Sequence, residues 1–259
     1  MARVIAVSNL KGGSAKSSTV ITVGAELARL GRRVLLCDLD PQGHVAEGYG
    51  IPSLRLEHDL SEVLVGSLPL QHVVRPLRPN LFLAPSSLRL ARLEPSLVNA
   101  HGRENKLRRA LEPMLPHFDI VLIDTPPSVG IFTVNAFRAA QEVLIPMTAE
   151  IYALIGVTML LEELAKFRQG LEHEIGVVGI VPTRFDQRTT GARDVVEQAK
   201  AQLGPTYRFF SPIPEAVAVR KAATAGKPVT EYDPKSPAAD GYRALAKELL
   251  DVETAKPGR

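Results

Sequence analysis

The sequence predicts a doubly wound α/β protein, a single mostly parallel sheet with helices on both faces. Three observations carry that prediction. Short β-branched apolar runs recur along the 259 residues, the runs are apolar throughout rather than alternating, and patterns of helical period separate them. A strand apolar on both sides belongs in a sheet covered on both sides, and the intervening helices supply the cover.

The first strand is read at 3-RVIAVS-8. A helix follows over 18-STVITVGAELARLG-31, with Ile21, Ala25, Ala28 and Leu30 as its buried stripe and Gly31 as its stop. The second strand is 33-RVLLCD-38. Residues 50 to 100, rich in Pro and Leu, read as irregular with short strands such as 81-LFLAPS-86. A helix over 104-ENKLRRALEPML-115 leads into the strand 119-DIVLID-124. The strand 142-EVLIPM-147, a helix over 152–169, the strand 175-IGVVGIVP-182 and helices over 192–203 and 237–252 complete the alternation. Tyr152, Leu154 and Met159 read as helix packing. One domain over 1–252 is expected, with 253–259 as a mobile tail.

Composition narrows the class. Hydrophobic residues make up 45% and charged residues 23%, as in an ordinary soluble globular protein. No apolar run reaches spanning length and no signal segment opens the chain. The single cysteine, Cys37, excludes a disulfide framework, points to a reducing cytoplasmic compartment and reads as core. A net charge of +3 permits a polyanionic partner without demanding one. The six histidines show no metal-ligand spacing.

Ligands of doubly wound sheets bind beyond the carboxyl ends of the strands, and the unusual polar residues cluster there. Lys11 to Ser18 follow the first strand, Asp38 and Asp40 end the second, and Asp124 ends another. The stretch 10-LKGGSAKSS-18 departs from the usual G-x-x-x-x-G-K-[ST] phosphate loop, because Leu10 and Ala15 stand where glycines are expected. It retains the parts a phosphate site needs. Gly12-Gly13 allows a turn, Lys16 supplies charge, Ser17 supplies a hydroxyl for Mg²⁺, and a helix is expected to begin near Lys16. Ala15 fits such a loop if its φ is negative. Taken alone, the string reads equally as a glycine turn capping an amphipathic helix.

The extra lysine, Lys11, separates the two. K-G-G-x-x-K-[ST] resembles the deviant Walker A motif of the ParA/MinD group of P-loop ATPases. Three further stretches share the resemblance in order: 34-VLLCDLDPQGH-44, 119-DIVLIDTPPS-128 and 146-PMTAEIYALIGVTML-160. The segment 212-PIPEAVAVRKAATAGKPV-229 resembles the region that closes over the base. The chain is thus similar to ParA/Soj-type partition ATPases along nearly its whole length.

That resemblance implies a P-loop NTPase fold, bound ATP and Mg²⁺, and slow, partner-stimulated hydrolysis. Gly12, Gly13, Ser14, Ala15, Lys16, Ser17 and Ser18 would cradle the triphosphate, and Lys11 would reach the nucleotide of a second subunit. Ser17 would ligate Mg²⁺, Asp124 would reach it through water, and Asp38 would support the metal shell. Asp40 would position the attacking water. For either Asp38 or Asp40 a turn or helix-cap role before Pro41 is the alternative. Pro214 and Arg184 are the candidates at the base. The resemblance also implies an ATP-state homodimer, non-specific double-stranded DNA binding on the nucleoid, and a ParB-like partner. Arg184, Arg188, Arg193, Arg220, Lys221 and Lys227 are the DNA candidates, although Glu215 stands where relatives often carry arginine. A non-DNA cargo and a barely hydrolysing scaffold are the competing readings. An iron–sulfur function needs at least two thiolates per subunit, and membrane attachment needs an apolar amphipathic end, so neither is expected.

Overall fold

In the computed structural model, residues 2–171 and 173–255 are described. The strands are β1 (Arg3–Val7), β2 (Val34–Asp38), β3 (Arg75–Arg78), β4 (Leu81–Ala84), β5 (Ile120–Asp124), β6 (Glu142–Thr148) and β7 (Gly176–Thr183). The helices are α1 (Lys16–Arg29), α2 (His44–Glu47), α3 (Leu60–Val65), α4 (Arg89–Val98), α5 (Lys106–Leu111) and α6 (Ile131–Ala139). Then come α7 (Ala153–Leu171), α8 (Thr190–Leu203), α9 (Val217–Thr224), α10 (Val229–Tyr232) and α11 (Pro237–Ala255).

One seven-stranded sheet runs in the order β3-β4-β2-β5-β1-β6-β7. Every neighbouring pair is parallel except β3 with β4. The pleat sends alternate residues to opposite faces, so the apolar strands feed two cores at once. Leu35, Cys37, Val121 and Ile123 join the core under α6 and α7, while Val34, Leu36, Ile120 and Leu122 join the core under α1 and α11. Cys37 is fully buried there, as expected of a core residue.

The sequence expectations need correction in several places. Residues 50–100 hold α3, α4 and an antiparallel β3 rather than an irregular segment. The expected helix over 104–115 is divided into α5 and flanking 3-10 turns, and α6 was not foreseen. Leu30, read as part of the buried stripe of α1, is 37% exposed because the helix ends at Arg29 and the chain turns outward at Gly31. The helix α11 runs to Ala255, past the expected end at 252, and 256–259 of the expected tail lie outside the described residues. Among the described residues no helix is long and apolar enough to cross a membrane.

Candidate functional site

The sheet order explains why the polar residues meet. β5 lies between β2 and β1, with Asp124 in register with Asp38 on one side and Val7 on the other. The loop leaving β1 is tied to the ends of β6 and β7, and Lys16 at its far end lies near the Asp124 and Asp40 carboxylates. It enters α1 at Lys16, and no side chain caps that helix. Its first N–H groups are left open to the cleft, with the positive end of the helix dipole behind them. Gly13 has φ +73°, and a Cβ at either Gly12 or Gly13 would meet nothing within 4 Å. The loop backbone is thus bare toward the cleft, as close approach by phosphate requires.

Ala15 also lies in the left-handed region, with φ +67°. The condition set for it, a negative φ, is not met. The methyl is carried at a geometric cost, in a conformation that glycine adopts freely.

Lys16 is buried, its ammonium 3.3 Å from the Lys11 carbonyl oxygen. Burial pushes its pKa down, and the nearby Asp124 and Asp40 carboxylates oppose that shift. Asp124 is fully buried and its pKa is pushed up to about 7, chiefly by burial. Neither of its oxygens makes a hydrogen bond of normal geometry, although the Ser17 hydroxyl and the Thr125 amide are near enough to favour the charged form. Asp38 is also buried and pushed well up, first by burial and then by Asp124. Its two oxygens accept from the Asp40 and Val45 amides at 3.0 and 3.1 Å, so it organises the loop after β2. Asp40 accepts from the Gln42 amide at 3.0 Å, a turn contact, while its carboxylate also lines the cleft.

No group of three or more His, Cys, Asp or Glu among the described residues makes a metal cage by itself. Mg²⁺ does not require one, since it is commonly held by one or two protein oxygens together with substrate phosphates and waters. The Ser17 hydroxyl beside the unpartnered, buried Asp124 oxygens is a hard-oxygen donor set that fits such an ion.

From the loop a cleft of about 1030 Å³ runs along Asp40, Thr183 and Arg184 to Ile213, Pro214, Val217 and Arg220. The loop end of the cleft thus continues into a far end where Ile213, Pro214 and Val217 stand beside Glu215 and Arg220. Pro214 is fixed by α11, because a Cβ on Gly241 would meet its Cδ at 3.0 Å. Arg184 has φ +52° and ion-pairs with both Glu150 and Glu215 at 3.4 Å.

Lys11 goes elsewhere. It does not line the cleft; its ammonium is paired with Glu150 and lies 3.4 Å from the Thr148 hydroxyl. Lys11 in turn holds the Glu150 carboxyl below its ordinary pKa. Glu150 carried no assigned role in the sequence reading, although the 146-PMTAE-150 stretch contains it. The DNA candidates divide. Arg184 and Arg188 are ion-paired, the latter with Asp186 at 2.8 Å, and both line the cleft with Arg220. Arg193, Lys221 and Lys227 are exposed outside it. Tyr152 and Met159, expected to pack, are 72% and 51% exposed, while Leu154 does pack on the core.

Comparison with known proteins adds an independent line. A family model described as an AAA domain matches residues 2–177, and one described as 4Fe-4S iron sulfur cluster binding proteins, NifH/frxC family, matches 113–257. The chain's one cysteine lies outside that second stretch, so the match carries the fold without cluster ligands. The chain is 38% identical to the chromosome partitioning protein ParA of Myxococcus xanthus, over 99% of this chain and 91% of that one. It is 36% identical to the sporulation initiation inhibitor protein Soj of Bacillus subtilis, over 96% of this chain and 98% of that one. Among solved structures, a Mycobacterium smegmatis protein described as cobyrinic acid a,c-diamide synthase, with bound ADP and magnesium, superposes with a TM-score of 0.85. Its identity is 35%, covering 99% of this chain and 97% of that one.

Proposed function

This chain belongs to the ParA/Soj/MinD family of P-loop ATPases, the fold family that also takes in the NifH/frxC proteins, and on that premise we propose that it is a DNA-partition ATPase. It binds ATP with Mg²⁺ as a nucleotide-sandwich homodimer, holds DNA non-specifically in that state, and releases it on hydrolysis stimulated by a ParB-like partner. The observation that carries the reading is the division of labour between two lysines on one loop. Lys16 lies buried inside the cleft, and Lys11 is held outside it, where a second subunit can be reached.

Within one subunit, Lys16 and the open amides at the start of α1 bind the β- and γ-phosphates. Ser17 and Asp124 would hold the metal ion, with Asp38 bracing the loop that presents Asp40. Bound Mg²⁺ supplies charge neutralisation at the phosphates. Asp40 orients the attacking water, and Pro214 packs on the base. Lys11 completes the charge compensation in the partner's cleft.

The Mycobacterium structure's description suggests another chemistry, amide synthesis. Hydrolysis of glutamine by a cysteine nucleophile cannot be served here, because the sole cysteine is fully buried in β2. Arg184 and Arg188 are already neutralised by acids, which leaves Arg193, Arg220, Lys221 and Lys227 for DNA and favours a non-DNA cargo as the second reading.

The test compares two variants by light scattering with ATP and Mg²⁺. Lys11→Ala is expected to bind one ATP per chain and stay monomeric, since truncating one partner of a dry charge pair costs about 2–5 kcal/mol, roughly thirty-fold or more in dimer affinity. Asp40→Ala is expected to accumulate as an ATP-bound dimer with little turnover. A monomeric Asp40→Ala protein, or a Lys11→Ala protein that dimerises normally, overturns the assignment.

A further inference from the structure

A second cavity, of about 640 Å³, lies at the other end of the sheet from the nucleotide cleft and shares no lining residue with it. Its walls come from the last turns of α1, the turn between β3 and β4, and residues of α10 and α11. Pro79 and Asn80 line it just before β4, whose first residue pairs with the first residue of β2, so the cavity sits under the amino ends of those strands. Helix α1 therefore spans both places. Its first turn is at the phosphate loop and its last is at this cavity, about 20 Å away.

Arg29 from α1, Arg78 from β3 and Arg243 from α11 meet in the cavity, against the carboxylates of Glu26 and Glu231. One positive charge is left over, and the hydrogen bonds locate the donors that remain open. Arg78 is used up, with Nε and Nη2 on Glu231 and Nη1 on the Leu77 carbonyl. Arg29 gives only its Nε, to Glu26 at 2.8 Å, so the Nη1–Nη2 end of its fork is open. Arg243 gives only its Nη1, to the Pro234 carbonyl and to Asp240, both at 2.8 Å, so its Nε–Nη2 edge is open. Each open edge carries two parallel N–H donors, a spacing that carboxylate and phosphate oxygens accept. Thr230 adds an independent sign. It lines the cavity at 6% exposure, and its buried hydroxyl has no hydrogen-bond partner, an arrangement that costs stability until something fills it.

We propose that this cavity binds a small oxyanion, the carboxylate or phosphate of a compact metabolite, between Arg29 and Arg243 with the Thr230 hydroxyl as a third donor. Its volume is in the range of small-molecule sites. Ala25, Ala28 and Pro79 give a low apolar wall for a short carbon chain, and among the described residues no aromatic ring lines the cavity for a base to stack on. A small organic acid or phosphate therefore fits better than a second nucleotide. Bound there, it ties the end of α1 to α10 and α11.

The test is calorimetric titration of the chain with inorganic phosphate and with succinate at constant ionic strength, the nucleotide cleft being saturated with ADP and Mg²⁺. Saturable binding of at least one probe, at one per chain, is expected, and the probe that binds distinguishes phosphate from carboxylate. Arg243→Ala is expected to weaken it roughly tenfold or more, since a charged two-donor contact is lost. Thr230→Val keeps the side-chain shape, guards against an arginine variant that fails to fold, and is expected to weaken binding about threefold or more. Arg92→Ala removes an exposed charge outside the cavity and is expected to leave binding unchanged. No saturable binding of either probe overturns the inference. So does binding that both cavity variants leave intact, or that Arg92→Ala weakens as much as they do.

Discussion

Replacing Ala15 by glycine is expected to stabilise the nucleotide-free protein. Ala15 holds φ +67° at the entry to α1, where an L side chain costs about 1–2 kcal/mol relative to glycine. Against that, glycine gives the unfolded chain more freedom to lose, about 0.4–1 kcal/mol. The backbone bond from the Thr19 amide to the Ala15 carbonyl, 2.9 Å, involves no side chain and survives the change. The balance is a gain of about 1 kcal/mol, or about 2–4 °C in melting temperature for a chain near this length. Thermal unfolding without nucleotide reads it directly, since bound ligand would add its own stabilisation. Ala15→Val is the control. A β-branched residue at positive φ is a steric outlier and is expected to lower the melting temperature well below that of the parent. A glycine variant that melts at or below the parent, beside a valine variant that melts with it, refutes the left-handed loop and the strain reasoned from it.

The remaining predictions concern charge. Asp124 is lifted to about 7 by burial, and Asp38 is lifted in the same direction. Between about pH 4 and 7 the folded chain therefore keeps a proton that the unfolded chain has lost, so stability without ligand falls as pH rises through that window. The loss amounts to a few kcal/mol, at about 1.4 kcal/mol per pH unit. Urea titrations at pH 5 and pH 8 are expected to show a smaller difference in Asp124→Asn than in the parent, and equal differences would sink the assignment. DNA binding is expected to require ATP and to weaken steeply with salt, because several phosphate contacts release counterions. Arg220→Glu with Lys221→Glu is expected to weaken binding on all sequences alike, and unchanged binding would move the DNA surface to Arg193 and Lys227.

What the sequence made legible follows a physical divide. β1, β2 and β5 were readable because strands buried on both faces leave continuous apolar runs, and the loop following β1 was readable because its chemistry is local. The segment 50–100 was not, since its short helices and edge strand β3 are held by packing on neighbours rather than by a strong period of their own. Helix periodicity showed that α7 has an apolar side but could not show that Met159 stands on a second one facing outward or that Tyr152 precedes the helix and is exposed. The hold of Glu150 on Lys11 was also hidden, because it joins residues 139 apart that meet only where β6 pairs with β1. The positive φ of Ala15 was hidden in another way: glycine announces such a conformation, and alanine does not.

The charges at the neck of the cleft tie nucleotide binding to assembly. Asp40 and Asp124 lie beside one buried ammonium, that of Lys16, and Asp38 is buried next to Asp124. A triphosphate entering that setting brings further negative charge, so it binds well only with a divalent cation that also relieves the raised carboxylates. Even then the γ-phosphate end has a single lysine from its own chain, because Lys11 is engaged by Glu150 outside the cleft. That pair is partly exposed, the Lys11 and Glu150 side chains at 30% and 46%, and such a pair is worth only about 0–1 kcal/mol. A desolvated phosphate offers Lys11 more than Glu150 does, and in the proposed dimer another subunit presents it. On the proposed reading the charge deficit in one cleft is therefore filled by the spare lysine of the other. The same reading has two chains close together when both hold ATP and part when hydrolysis removes the charge that Lys11 came to meet.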